Sequence, residues 1–327
     1  MLENRPYLKF LVQGIGFLAA FAAFTVTSLY FAQNKMIYLP GAPIQYPNDN
    51  PEGYKNPGER GMLYKEIETV TSDNLRLKGW FIHQRNPKKH NTVIFMHENA
   101  GNIGLRMDFF ELLYSKLEVN IVTFGYRGYS YSEGSPSEEG LKLDADAIID
   151  YVKSEKEIDQ NTVFLQGRSL GGAVAIHTAV KYGDYFKGVI VENTFTSMAD
   201  MVDRVMVFAS KIKGFILKNH WRSIDLVAKI EQPIMYITGK QDELVPFEMT
   251  LELHENTHKS KQKEVYIVFP GTHNDTWLVE SKVYVEKLRR FMSDSLVIAR
   301  ESGEYIYENV KPKVKKGKKK GNFNDEF

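Results

Sequence analysis

Cysteine is absent from this 327-residue chain. That excludes disulfides, thiolate catalysis, cysteine-ligated zinc and S-palmitoylation together. An excess of either charge is missing too: 42 Lys and Arg stand against 41 Asp and Glu, a net charge of +1. The chain as a whole therefore has no electrostatic pull on nucleic acid. No internal repeat is seen. What remains is 43% hydrophobic and 25% charged, a globular composition long enough for one large α/β domain or two ordinary ones.

Charge is also missing locally. Phe10 to Ala32 is a run of 23 residues without a charge. At ~1.5 Å per residue such a helix reaches ~35 Å, enough to cross a ~30 Å hydrocarbon core. A signal-peptide core runs only ~7–15 residues, so a retained transmembrane anchor at 10–32 is expected, after a short N-terminal segment at 1–9. Arg5 and Lys9 precede the run and Lys35 follows it. This balance leans towards a cytosolic N-terminus, in an endomembrane such as the endoplasmic reticulum or in the plasma membrane. Residues 33–63, rich in Pro, Gly and Asn, read as a linker or an irregular lead-in. At the other end, seven lysines crowd between Lys311 and Lys320. Residues 301–327 read as a solvated, unstructured tail, with anionic lipid headgroups as the alternative partner. That alternative favours a cytosolic face, against the charge balance around the anchor.

Between these ends, residues 64–300 alternate strands and helices. Strands are expected at Tyr64–Val70, Leu75–His83, Thr92–Met96, Val119–Phe124, Thr162–Gln166, Gly188–Val191, Pro233–Thr238 and Val265–Phe269. Helices are expected at Gly104–Leu117, Ser137–Ser154, Leu170–Tyr182 and Asp275–Ser293. The first two strands form a hairpin through Ser72-Asp73-Asn74, and the rest predict a mostly parallel eight-stranded sheet covered on both faces. The segment 195–230 interrupts the rhythm. Its apolar residues, from Met201 to Leu217, make either a sheet-covering helix or a small helical cap touching an acyl chain or the bilayer.

Gly167-Arg168-Ser169-Leu170-Gly171 is a Gly-x-Ser-x-Gly pentapeptide, which chance supplies in roughly one chain in ten of this length. Its setting decides its meaning. An apolar strand precedes it and the small-residue helix Ala173-Val174-Ala175-Ile176 follows, the context of a nucleophile elbow. A serine hydroxyl needs a base, and the base needs an orienting carboxylate, in the chain order Ser, Asp or Glu, His. Asp242 lies just beyond one apolar strand and His273 just beyond the next, where an open α/β sheet places its site. Glu243 and Asp275 are the nearby competitors for the carboxylate. The oxyanion hole is expected from the backbone N–H groups of Leu170 and Asn99, with His97 orienting the second loop. His177 sits within the helix after the serine. No cofactor is implied.

Several stretches carry a resemblance: His97-Glu98-Asn99-Ala100-Gly101-Asn102, Tyr126-Arg127-Gly128-Tyr129 with Gly134, Gly167 to Gly172, Glu192-Asn193-Thr194-Phe195-Thr196-Ser197, and the loops of Asp242 and His273. Over roughly residues 64–292 these resemble the membrane-anchored α/β-hydrolase-domain proteins, near the bud-emergence homologue of fungi and acyl-protein thioesterase-like members. The resemblance implies the α/β-hydrolase fold and an ester or thioester hydrolase acting on a lipid or an acylated protein through an acyl-enzyme. Glu98 departs from the glycine usual at its position. A carboxylate aimed inward would oppose a developing oxyanion, so it is expected to point away or carry a proton. The alternative is a weakly active hydrolase-fold scaffold or trafficking protein at a membrane, motivated by Glu98 and the lysine tail. His254-Glu255-Asn256-Thr257-His258 matches a zinc-site pattern, but its polar, basic flank marks an exposed helix end. The glycosylation sequon Asn274-Asp275-Thr276 abuts His273 and reads as enclosed.

Overall fold

The computed structural model describes residues 6–205 and 213–303. Arg5, residues 206–212 of the expected cap and the lysine run lie outside these residues. A single helix, α1 (Pro6–Ile37), opens the chain. It is long and apolar enough to cross a membrane, and nearly every side chain from Phe10 to Ala32 faces away from the protein. It runs five residues beyond the apolar stretch.

Eight strands follow: β1 (Tyr64–Val70), β2 (Arg76–Ile82), β3 (Thr92–Met96), β4 (Asn120–Phe124), β5 (Val163–Arg168), β6 (Gly188–Glu192), β7 (Ile234–Gly239) and β8 (Lys263–Val268). They form one sheet in the order β1-β2-β4-β3-β5-β6-β7-β8. β2 pairs antiparallel with both β1 and β4, and the remaining pairs are parallel. Side chains alternate between faces with the period of two that a strand dictates. In β3, Ile94 and Met96 enter one core while Val93 and Phe95 enter the other. A strand buried on both faces reads as an unbroken apolar run, which is why the central strands were legible. Strand order reverses between β3 and β5. Such a switch point opens a crevice at the carboxyl ends of the strands.

The helices are α2 (Met107–Leu112), α3 (Glu138–Ser154), α4 (Leu170–Tyr182), α5 (Met198–Val205), α6 (Lys213–Ile216), α7 (Ser223–Val227), α8 (Phe247–Asn256), α9 (Thr276–Val279) and α10 (Ser281–Glu301). α3 starts where Ser137 accepts a hydrogen bond from Gly140 N–H at 3.1 Å, with Glu138 and Glu139 in its first turn; cap and acidic turn both complement the exposed N–H groups. The helix expected at Gly104–Leu117 is divided into a 3-10 turn, α2 and a π turn. That expected at Asp275–Ser293 breaks at Glu280 and runs on to Glu301. The interruption after β6 is split: α7 joins α4 and α8 over the sheet, whereas α6 packs on α1.

Of the two readings of residues 33–63, the irregular lead-in fits the structure and the free linker does not. Tyr38, Asn50 and Met62 are buried, and the Asn50 and Asn102 amides exchange two hydrogen bonds at 2.8 and 2.9 Å. The Asn102 amide also donates to Ile44 O and its oxygen accepts Gly104 N–H. Proline and asparagine here specify an irregular strap with its polar groups satisfied, not a free tether.

Candidate active site

β5 delivers Ser169 at φ 52°, ψ −121°, a left-handed conformation that costs a non-glycine residue on the order of 1–3 kcal/mol. The turn is affordable only because its neighbours lack side chains. A Cβ on Gly167 would lie 2.1 Å from Gly171 O, and one on Gly171 would lie 2.0 Å from Met96 O. Ser169 is thus lifted above the strand ends at the N-terminus of α4. Leu170 is the first residue of that helix, so its N–H has no partner within it and adds to the positive end of the helix dipole.

The three side chains expected as a triad converge. His273 Nε2 lies 3.2 Å from Ser169 Oγ, and His273 Nδ1 lies 2.8 Å from Asp242 Oδ2. Asp242 is itself fixed, because its Oδ1 accepts the N–H groups of Leu244 at 2.9 Å and Val245 at 2.7 Å. The competitors do other work. Glu243 reaches the backbone N–H of His273 at 3.4 Å, and Asp275 accepts Thr272 N–H at 2.6 Å. His177 lies on α4 away from this cluster.

The loop after β3 is held from within and from without. His97 is buried between the rings of Tyr126 and Tyr129. Its Nε2 accepts Tyr126 N–H at 3.2 Å, which leaves Nδ1 to donate to Glu98 O at 2.6 Å. Burial, helped by the charge of Arg106, lowers its pKa to about 3, so the imidazole stays neutral and fixes the loop as one tautomer. The Asn99 side chain donates to Ile37 O at 2.5 Å and accepts from Leu39 N–H and the Tyr129 hydroxyl.

Glu98 is turned onto two arginines and is charged. Burial pushes its carboxyl up, but the guanidinium groups of Arg106 and Arg168 outweigh that and hold it at about 2. Arg106 Nε donates to one oxygen at 2.7 Å and Arg168 to the other at 3.1 Å. Arg168 continues to Glu192 at 3.0 Å, and Glu192 accepts hydrogen bonds from Thr276 and Tyr284. A buried chain of charges thus ties the β3 loop, the elbow, β6 and the start of α9.

Sequence reasoning missed this network, and it missed Asn193. Asn193 sits at φ 46°, directly after β6. Its amide donates to His273 O at 2.7 Å and Thr272 O at 3.3 Å, and its oxygen accepts Gly239 N–H at 2.9 Å. One side chain therefore spans the roots of the Asp242 and His273 loops. The sequence signals at Asn193 were its place at the carboxyl end of a buried strand and its membership of the Glu192–Ser197 stretch that carries the resemblance. Two further expectations resolve differently. Asn274 is exposed, while Thr276 of the same sequon is buried, so the sequon's enclosed member is the threonine. His254 lies in the last turn of α8 and His258 lies beyond the helix end at Asn256, so the two imidazoles do not share a helix face. Among the described residues no three His, Asp or Glu side chains are grouped to hold a metal ion.

Known proteins share this fold. Residues 142–292 match the prolyl oligopeptidase family. The chain is 33% identical to the α/β-hydrolase domain-containing protein WAV2 of Arabidopsis thaliana over 297 residues, covering 86% of this chain and 90% of that one. It is 33% identical to bem46 of Schizosaccharomyces pombe, covering 82% and 88%. The chain belongs to the α/β-hydrolase family of WAV2 and bem46. A further relative in the family, 34% identical and covering 85% and 95%, is the uncharacterized membrane protein YNL320W of Saccharomyces cerevisiae. Among solved structures, the Pyrococcus furiosus esterase Pf2001 superposes with a TM-score of 0.61 at 21% identity, over 74% of this chain and 96% of that one, which speaks for the shared fold.

Proposed function

We propose that this protein is a membrane-anchored serine hydrolase that cleaves a carboxylic ester or thioester of a lipid or an acylated protein. The observation that carries the reading is the continuous line from Ser169 Oγ to His273 Nε2 at 3.2 Å and from His273 Nδ1 to Asp242 at 2.8 Å, built on a strained elbow. Ser169 Oγ attacks the acyl carbonyl and gives its proton to His273, whose cation Asp242 orients and stabilises. The oxyanion is held by the N–H groups of Leu170 and Asn99. Collapse expels the alcohol or thiol, which takes the proton from His273. Water then enters on the same base, and the acyl-Ser169 ester yields the acid and the free serine. The charge of Glu98 is spent on two arginines rather than on the oxyanion, so it no longer speaks for an inactive scaffold. The membrane part of the reading is supported by the length and exposure of α1; the anchor, 10–32, and the hydrolase unit, 64–300, remain the proposed division of the chain.

A fluorophosphonate probe tests the reading. Wild-type protein should be labelled and should hydrolyse a short soluble ester, and Ser169→Ala should abolish both. Asp242→Asn should keep the fold and lower kcat by roughly 10⁴-fold, because the amide favours the wrong imidazole tautomer. Folded wild-type protein that takes no label and turns over no ester would falsify the proposal.

A further inference from the structure

The end of α1 is not attached to the hydrolase domain by a flexible segment. The last residue of the apolar span is Ala32, and the next residue, Gln33, is already buried in the domain. Gln33 Nε2 donates to Ile216 O at 2.8 Å, and its oxygen accepts Lys218 N–H, Asn219 N–H and the Asn219 amide at 2.8–3.0 Å. Asn34 accepts from the Asn219 amide at 2.8 Å. Tyr38 donates to Asn219 Oδ1 at 2.8 Å and accepts from Trp221 Nε1 at 3.0 Å. On the other side the carbonyl of Ile37 and the N–H of Leu39 are both held by Asn99, and Leu39 O accepts Gly101 N–H at 3.1 Å. Residues 33, 34, 37 and 38 share one helical face. That face is clamped between the β3 loop and the segment after β6, the two loops that flank the β5 elbow in the sheet.

This clamp fixes a depth. Ile37 is five residues beyond Ala32, a rise of ~8 Å along the helix. The headgroup layer outside the hydrocarbon core is itself about 5–8 Å thick on each side. Asn99, and with it the proposed oxyanion loop, is therefore held at the headgroup layer when α1 spans the bilayer. The faces of the junction that the domain leaves free carry Lys35, Met36 and Leu39, all exposed, a cation and two apolar side chains suited to a phospholipid interface. A flexible tether would let the site sweep through solution; a clamp does not.

We infer that the protein hydrolyses an acyl ester of a glycerolipid in the same leaflet as the docked end of α1, with the Gln33–Asn219–Asn99 clamp holding the site against the headgroup layer. The inference rests on the serine-hydrolase reading above. The acyl C–O bond breaks, Ser169 takes the acyl group, the lipid alcohol leaves with the proton of His273, and water releases the fatty acid.

The test uses full-length protein in vesicles of phosphatidylcholine with some phosphatidylserine. It compares wild type with a chain carrying about eight Gly and Ser residues between Ala32 and Gln33. That insert spans roughly 15 Å and leaves the clamp itself intact. Fatty acid release from the vesicle lipid should fall at least tenfold with the insert, while hydrolysis of a short soluble ester stays within twofold. Labelled lipid confined to protein-free vesicles should remain intact. Equal lipid hydrolysis with and without the insert overturns the depth argument. Wild-type protein that cleaves the soluble ester but no vesicle lipid overturns the glycerolipid assignment, and cleavage of a palmitoyl-cysteine peptide in the same vesicles would then place the substrate among acylated proteins. Loss of soluble-ester hydrolysis in wild type strikes the serine-hydrolase reading instead.

Discussion

At Glu98 the chain puts a carboxylate where a small residue would be simpler, and two arginines take it up. The pairing has a pH signature. The folded-state pKa of about 2 lies below the ordinary value near 4.3, so the unfolded chain binds the extra proton between these limits. Stability contributed by Glu98 is thus present above about pH 4 and is lost as pH falls towards 2. His97, buried neutral with a pKa of about 3, adds an adjoining loss. The unfolded imidazole gains a proton below about pH 6.5 that the folded one refuses until far lower pH. Glu98→Gln should therefore destabilise the protein at pH 7 by roughly 3 kcal/mol, since it leaves Arg106 without its counter-charge and Arg168 with Glu192 alone. Its stability should also vary less than that of wild type between pH 4.5 and 2. Urea unfolding across pH checks both; a variant as stable as wild type at neutral pH would sink the argument.

Loops, rather than strands, set the geometry at the scale of elements. β7 and β8 bring Asp242 and His273 to the same edge of the sheet, but Asn193 holds their loops at the distance the proton transfer requires. Asn193→Asp keeps the oxygen that accepts Gly239 N–H and the tolerance for a positive φ, but it cannot donate to the carbonyls of Thr272 and His273. We expect a folded protein whose kcat on a soluble ester falls tenfold or more while fluorophosphonate labelling slows in parallel. Unchanged rates would reduce Asn193 to a structural residue. α8 shows the limit of pattern reading at this scale. Only Thr250 and Leu253 are buried along it, too narrow a stripe to stand out among charged residues, although the helix covers the sheet.

Taken as a whole, the molecule is a helix and a domain joined without slack. A chain beginning at Gln33 keeps every clamp contact and should retain cooperative unfolding and probe labelling in detergent-free solution. A chain beginning at Pro40 leaves the Asn99, Asn219 and Trp221 partners of the clamp unmet, each costing about 1–3 kcal/mol where burial persists. It should melt several degrees lower and label more slowly. Equal melting temperatures for the two chains would show that the clamp contributes nothing.

What the sequence determined by itself was whatever repeats along the chain or sits at a fixed local spacing. The eight strands, the helix Leu170–Tyr182, the elbow around Ser169 and the order of Ser169, Asp242 and His273 were all legible, because period-two burial and a strand–turn–helix motif are local patterns. Tertiary structure alone decided which partners meet across the chain. The ionisation of Glu98 depends on Arg106 and on Arg168, the latter 70 positions away, and the docking of α1 depends on Gln33 meeting Asn219, 186 positions away. No local spacing encodes such pairs: a glutamine after an apolar run looks like the end of an anchor until the domain folds and gives its amide four hydrogen bonds.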